Sequence, residues 1–313
     1  MFSASVLILT YNRPDELRRS LSELTSELSP DIEIIVIDNN SEFWSEDIVS
    51  EFSKRVRFIF MDENVGTAAR NFGVKACSSD FIITLDDDVF GLTQKSIDLT
   101  MDLFIGNNDL AAINFKVIDD ATEEQVNWIH HREKHKWGDR EFASYEISEG
   151  AVAVRRSMFL AAGGYPEHFF ISHEGPYLAL GLMNLGWVIS YCPSIVVRHS
   201  HAEMGRVSWR RYYYDTRNVI WLAYRHLPLH LMLKKCFIET SALLIYSLRD
   251  GYFKYWFYGL KDGLVGLVKR PENKRSPICN QALARYKKIE IENAKFWYML
   301  KIRLFNNKNK IQI

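Results

Sequence analysis

Three apolar runs of strand length each stop abruptly at a polar or acidic residue, and this constrains the chain more than any other feature: Ser5 to Leu9 stops at Thr10, Ile32 to Ile37 at Asp38, and Phe81 to Leu85 at Asp86. Runs without polar alternation suit strands buried on both faces, which points to parallel strands covered by helices on each side. The segments between them read accordingly. Pro14 stands where a helix tolerates proline, and Leu17, Leu21, Leu24 and Leu28 then share one helical face. Another short strand is expected from Val56 to Met61. In open sheets of this kind ligands bind outside the carboxyl ends of the strands, so Thr10, Asp38, Asn64 and Asp86 are expected around one crevice.

The run Phe81 to Leu85 leads straight into Asp86, Asp87 and Asp88. Three adjacent carboxylates repel one another unless water or a cation offsets them, and a hard divalent ion such as Mg2+ or Mn2+ prefers such oxygen ligands. Mg2+ commonly keeps phosphate oxygens in its shell, so the economical reading is a site for a nucleotide diphosphate; a solvated acidic turn is the alternative.

In order, Val6 to Arg13, Val36 to Ser41, Asn64-Val65-Gly66 with Ala69-Arg70-Asn71, and Asp86-Asp87-Asp88 resemble the motifs of family 2 glycosyltransferases. The resemblance implies the α/β GT-A fold: a mostly parallel central sheet flanked by helices, here with a C-terminal helical appendage. It also implies a nucleotide-sugar donor, a divalent metal, inversion at the anomeric carbon and transfer to a hydroxyl of a glycan acceptor. Thr10, Tyr11, Arg13, Asp38, Arg70, Asp86 and Asp87 are then the expected nucleotide-binding residues. Thr10 and Tyr11 would line the base pocket, Asp38 would accept hydrogen bonds from a pyrimidine or ribose, and the Arg70 fork suits phosphate or carbonyl oxygens. Asp86 matches a ribose-binding position and Asp88 a metal-binding one, while side-chain alternation leaves Asp87 free to point away.

Further on, Ala162-Gly163-Gly164-Tyr165 precedes Ser172-His173-Glu174-Gly175, matching the order in which the family presents its catalytic base. Glu174 is the expected base, with Glu149 as runner-up. The chain departs from the pattern at Gly175, where relatives often carry a second acidic residue, and at Gly181, where arginine is frequent. His199 matches a position from which some relatives approach the metal; a pocket-lining histidine is the alternative. His130, His131 and His135 satisfy no metal-ligand spacing and read as part of a polar acceptor-side loop.

The formal charge of the 313 residues is zero, but it is unevenly spread. Residues 1–205 hold 17 Lys and Arg against 32 Asp and Glu, and residues 206–313 hold 22 against 7. This asymmetry suggests a catalytic domain over 1–205, with a nucleotide-sugar and metal half (1–105) and an acceptor half (106–205), followed by a basic, aromatic helical region (206–313). Rings such as Trp209, Tyr213, Trp256 and Phe257 interleaved with lysine and arginine suit an interfacial helix on anionic lipid. Cys236 to Leu248 is too short and too polar to span a bilayer. The expectation is therefore a lipid-linked acceptor and contact with the inner leaflet. No recognition motif supports nucleic acid. Met1 to Ala4 lacks the basic and apolar regions of a signal peptide, so a cytoplasmic location is expected. The four cysteines are scattered and form neither a metal pair nor a disulfide framework. Two other classes stay open: a catalytically silent glycan-binding or scaffold protein, and a sugar nucleotidyltransferase, although Thr10 to Pro14 is not the glycine-rich basic loop the latter would carry.

Overall fold

The computed structural model describes residues 3–42, 46–200 and 208–294. The first half alternates strand and helix as its apolar runs require: β1 (Ala4–Thr10), α1 (Pro14–Glu27), β2 (Glu33–Asp38), α2 (Glu46–Phe52), β3 (Val56–Phe60), α3 (Ala69–Ala76), β4 (Phe81–Asp86), β5 (Val89–Phe90) and α4 (Gln94–Gly106). The second half adds β6 (Leu110–Asp119), α5 (Lys134–Trp137), β7 (Phe142–Ser144), β8 (Ala151–Arg155), α6 (Arg156–Ala161), α7 (Glu174–Asn184) and β9 (Val188–His199). Among the described residues four helices follow: α8 (Trp209–His226), α9 (Leu229–Asp250), α10 (Phe253–Lys269) and α11 (Asn280–Glu292).

The strands form one sheet in the order β3-β2-β1-β4-β8-β6-β9-β5, with β7 paired to β9. The expected parallel arrangement holds from β3 to β4. Beyond β4 the directions mix, because β8 lies antiparallel to both β4 and β6 while β6 and β9 run parallel. Alternate side chains on each strand serve two cores. Val6, Ile8, Val36 and Ile83 pack with Leu17, Leu21 and Ile97 on one face. Leu7, Ile35, Ile37 and Ile82 pack with α3, α6 and α7 on the other.

The C-terminal helices share that second core. Val219, Ile220, Trp221 and Leu222 of α8 and Ala282, Tyr286 and Ile289 of α11 are buried together with residues of α7. The junction expected at 205/206 lies outside the described residues, as do His201 and the tail from 295 onward. The expected acceptor-side loop is partly ordered by an aromatic box: His130 is buried against Trp128, Phe142 and Tyr191 and bonded to the Ser144 hydroxyl at 3.0 Å. Burial pulls its imidazole down to about 3, so it stays neutral and structural.

Candidate active site

Strand register sets the site. Thr10 pairs with Asp38 across β1 and β2, and Leu9 pairs with Asp86 across β1 and β4, so the polar ends of three strands come level at one edge. A cleft of about 1650 Å³ opens there, lined by Thr10, Tyr11, Arg13, Arg70, Asp86, Asp87, Asp88, Glu149, Glu174 and His199 among others. Nine of the ten residues expected from the sequence thus line one space. Asp38 does not. The Ser41 hydroxyl and backbone N–H both donate to its carboxylate, the latter at 3.0 Å, and its place on the wall is taken by Asn39 and Asn64. The Asn39 amide donates to Asn64 Oδ1 at 3.0 Å and its carbonyl accepts from the Val65 N–H, tying the ends of β2 and β3 together.

The three carboxylates have separate partners. Asp86 is ion-paired with Arg70, whose side chain is buried. Asp87 accepts from the Thr10 hydroxyl at 2.8 Å and lies 3.4 Å from Arg13; burial pushes its carboxyl up to about 7, with the Thr10 bond pulling the other way. Thr10 therefore holds the acidic turn, and its hydroxyl is committed to Asp87. Asp88 is paired with Arg13 and lies 3.2 Å from His199 Nε2. Burial favours the neutral acid, but His199 and Arg13 outweigh it and keep the Asp88 carboxyl below its ordinary value. The same contact raises His199 against its own burial.

Glu174 stands at the start of α7, directly after a loop in which Phe170, Ser172 and His173 all take left-handed φ values of 67°, 79° and 66°. Such φ values are costly for residues with a Cβ and persist only where neighbours enforce them. Here α8 does so. The Asn218 amide reaches the carbonyls of Phe169, Ile171 and Ser172 at 2.8–3.1 Å, and Arg217 donates to that of Phe169 at 2.7 Å.

Glu174 is 2% exposed, and among the described residues its Oε1 has no hydrogen-bond partner. Burial pushes its carboxyl up, against the Thr67 hydroxyl and the Arg70 guanidinium. Glu149 is raised too, first by burial and then by the charge of Glu174. Gly175 explains why the two glutamates come together. A Cβ at 175 would lie 2.1 Å from the Ile147 carbonyl oxygen and 2.7 Å from Glu149 Oε1, so the space beside Glu174 belongs to the 147–149 segment.

The sequence profile of glycosyl transferase family 2 matches residues 5–160, which hold the four strands and the acidic turn just described. The chain belongs to that family. Over 232 residues it is 26% identical to the O-antigen chain rhamnosyltransferase WbaN of Salmonella anatum, covering 68% of this chain and 71% of that protein. Its fold matches S. aureus TarS 1-349 in complex with UDP-GlcNAc at a TM-score of 0.58, with 14% identity and coverage of 93% and 89%. GalNAc-T7 with UDP, GalNAc and Mn2+ gives the same TM-score at 16% identity, covering 97% of this chain and 57% of that one. At these identities the structures establish the GT-A fold, and the family establishes a glycosyltransferase.

The family 2 motifs left the other wall of the cleft unannounced. Arg211 and Asp215 of α8, Lys235, Glu239 and Tyr246 of α9, and Tyr286 of α11 line it as well. Lys235 and Glu239 pair at 2.6 Å, which holds the Glu239 carboxyl down to about 2 despite its burial. On the sequence these residues read only as a basic, aromatic segment; their i, i+4 spacing was the one available sign of a designed pair.

Proposed function

We propose that this glycosyltransferase moves a sugar from a nucleotide donor to a hydroxyl of a lipid-linked glycan during polysaccharide synthesis, with inversion and with help from a divalent cation. The observation that carries the reading is the convergence, in one cleft, of a carboxylate turn suited to a diphosphate and a buried glutamate with an unspent oxygen. The likeness to WbaN makes rhamnose the first donor sugar to try.

On this reading the nucleotide lies along the edge formed by Tyr11, Asn39 and Asn64, with its ribose toward Asp86 and its phosphates toward Asp88. Arg70, paired with Asp86, fixes the orientation of that carboxylate. The donor set fits a cation in a limited way: Asp88 and His199 converge, which leaves most positions for phosphate oxygens and water, as Mg2+ and Mn2+ prefer. Bound there, the ion would offset charge on the departing diphosphate. Arg13 pairs with both Asp87 and Asp88 and so offsets part of the repulsion within the acidic turn.

Glu174 takes the acceptor proton. Its raised affinity for protons matches a base that must collect one from a hydroxyl at the moment of attack. Glu149, close by, holds the remaining proton of the pair and keeps a second negative charge away from the incoming nucleophile. The acceptor reaches Glu174 along the part of the cleft lined by His131, Tyr145, Ile147 and α9.

Thermal unfolding with a panel of nucleoside diphosphates and their sugars, with and without Mn2+, tests the donor side. A ligand at a hundredfold over its dissociation constant adds about 2.7 kcal/mol. One nucleotide should stabilise the protein only with the metal, and Asp88→Ala should abolish the shift. An undiminished shift in Asp88→Ala would remove that residue from the phosphate site.

A further inference from the structure

The outer faces of α9 and α10 are apolar and exposed. Leu229, Leu233, Phe237, Ile245 and Leu248 recur at helical spacing along α9, with Phe237 74% exposed. On the opposite side of the same helix Lys235, Glu239 and Tyr246 line the cleft. α10 is built the same way. Gly259, Gly263 and Gly266 seat it against α8, where a Cβ on Gly259 would stand 2.4 Å from the Tyr213 carbonyl oxygen. Its bulky residues, Phe253, Phe257, Leu264 and Val268, point away, and Val268 is 89% exposed. The Trp256 indole donates to the Thr240 carbonyl at 2.9 Å and locks the two helices into one hairpin.

Charge says what covers this ridge. The acidic residues of the hairpin are all engaged: Glu239 by Lys235, Asp250 by Tyr212 and Arg249, and Asp262 by Tyr213. Lys234, Lys254, Lys261, Lys269 and Arg270 are exposed around the apolar stripe. A second copy of the chain would bring two such basic rims face to face. An anionic lipid surface complements both features, apolar side chains entering the acyl boundary and lysines meeting phosphates. Among the described residues no helix is long and apolar enough to cross a membrane.

We propose that the α9–α10 hairpin docks on the headgroup layer of an anionic bilayer, which makes α9 the wall between the lipid and the acceptor end of the cleft. The consequence for acceptor choice rests on the lipid-linked acceptor proposed above; the docking itself does not.

Sedimentation of the full chain with vesicles tests it, comparing equimolar phosphatidylglycerol and phosphatidylcholine with phosphatidylcholine alone, at low and high salt. The protein should pellet with the anionic vesicles and be released by salt. Phe237→Glu combined with Val268→Glu should weaken binding at least about tenfold. Its thermal midpoint and its stabilisation by donor nucleotide should stay as in the wild type, since both side chains lie outside the cleft. Failure of the wild type to bind anionic vesicles, or equal binding by the variant, would overturn the proposal. So would a dimer seen by light scattering that the variant abolishes and vesicles do not displace. Vesicle binding as expected, with no nucleotide stabilising either protein, would sink the donor reading and leave the docking surface standing.

Discussion

Asn218→Ala tests whether the C-terminal helices hold Glu174 in place. The Asn218 side chain is fully buried; its two N–H donors share the carbonyls of Phe169, Ile171 and Ser172, and its own carbonyl accepts from Arg217 Nε at 2.9 Å. Three hydrogen bonds' worth of side-chain capacity, at about 0.5–1.5 kcal/mol each, puts the loss at roughly 2–4 kcal/mol. The loop it clamps stores a comparable strain, because three non-glycine residues in the left-handed region cost about 1–2 kcal/mol each. Without the clamp the loop can release that strain by moving, and Glu174 moves with it. A displacement of about 1 Å at a reacting group can cost on the order of a hundredfold in rate. The expected outcome is a urea midpoint lowered by that stability loss and kcat reduced at least about tenfold, with the donor KM nearly unchanged because the nucleotide wall is untouched. If kcat held while stability fell, the clamp would serve folding alone and the argument for positioning would be wrong.

Glu174→Gln should lower kcat about a hundredfold or more, in line with the usual contribution of a general base, while the nucleotide-induced thermal shift persists; full activity would dismiss it as the base. The folded protein binds protons at Glu149 and Glu174 more tightly than the unfolded chain, so their stabilising effect is complete below the ordinary glutamate range and is lost as pH rises through the raised values. Replacing both by glutamine should therefore raise the urea midpoint relative to wild type more at pH 9 than at pH 5, and a difference independent of pH would contradict the raised values. Gly175→Ala forces its Cβ 2.1 Å from the Ile147 carbonyl oxygen and should destabilise by about 1–3 kcal/mol. Adding Glu149→Ala removes the side-chain obstacle and leaves the nearer Ile147 backbone in place, so full recovery in the double variant would show that the backbone was never in the way.

Much of the fold was legible because strands buried on both faces leave unbroken apolar runs. Leu17, Leu21, Leu24 and Leu28 are all buried on α1 as their spacing demands, and Val6 to Leu9 and Phe81 to Leu85 lie side by side in the sheet. The strands of the acceptor half were harder to place, since β8 enters antiparallel between β4 and β6 through pairings no local pattern encodes. The candidate site divides in the same way. Motif order gathered the acidic turn, Arg70 and Glu174, but the motif could not show that Asp38 spends its carboxylate on Ser41. Nor could it show that His130 belongs to an aromatic box rather than to the cleft.

The sequence alone determined the sheet's first four strands, the family, and the charge divided between two halves, because each is written in residues close together along the chain. Tertiary structure decided what the basic half touches. Asn218 clamps the loop before Glu174 across 46 to 49 positions of chain, Lys235 and Glu239 wall the cleft once α9 packs beside it, and Glu149 fills the space that Gly175 leaves from far back along the chain. Local pattern records which face of a helix is apolar; which carbonyls and carboxylates that helix will meet depends on packing, and packing is a property of the folded whole.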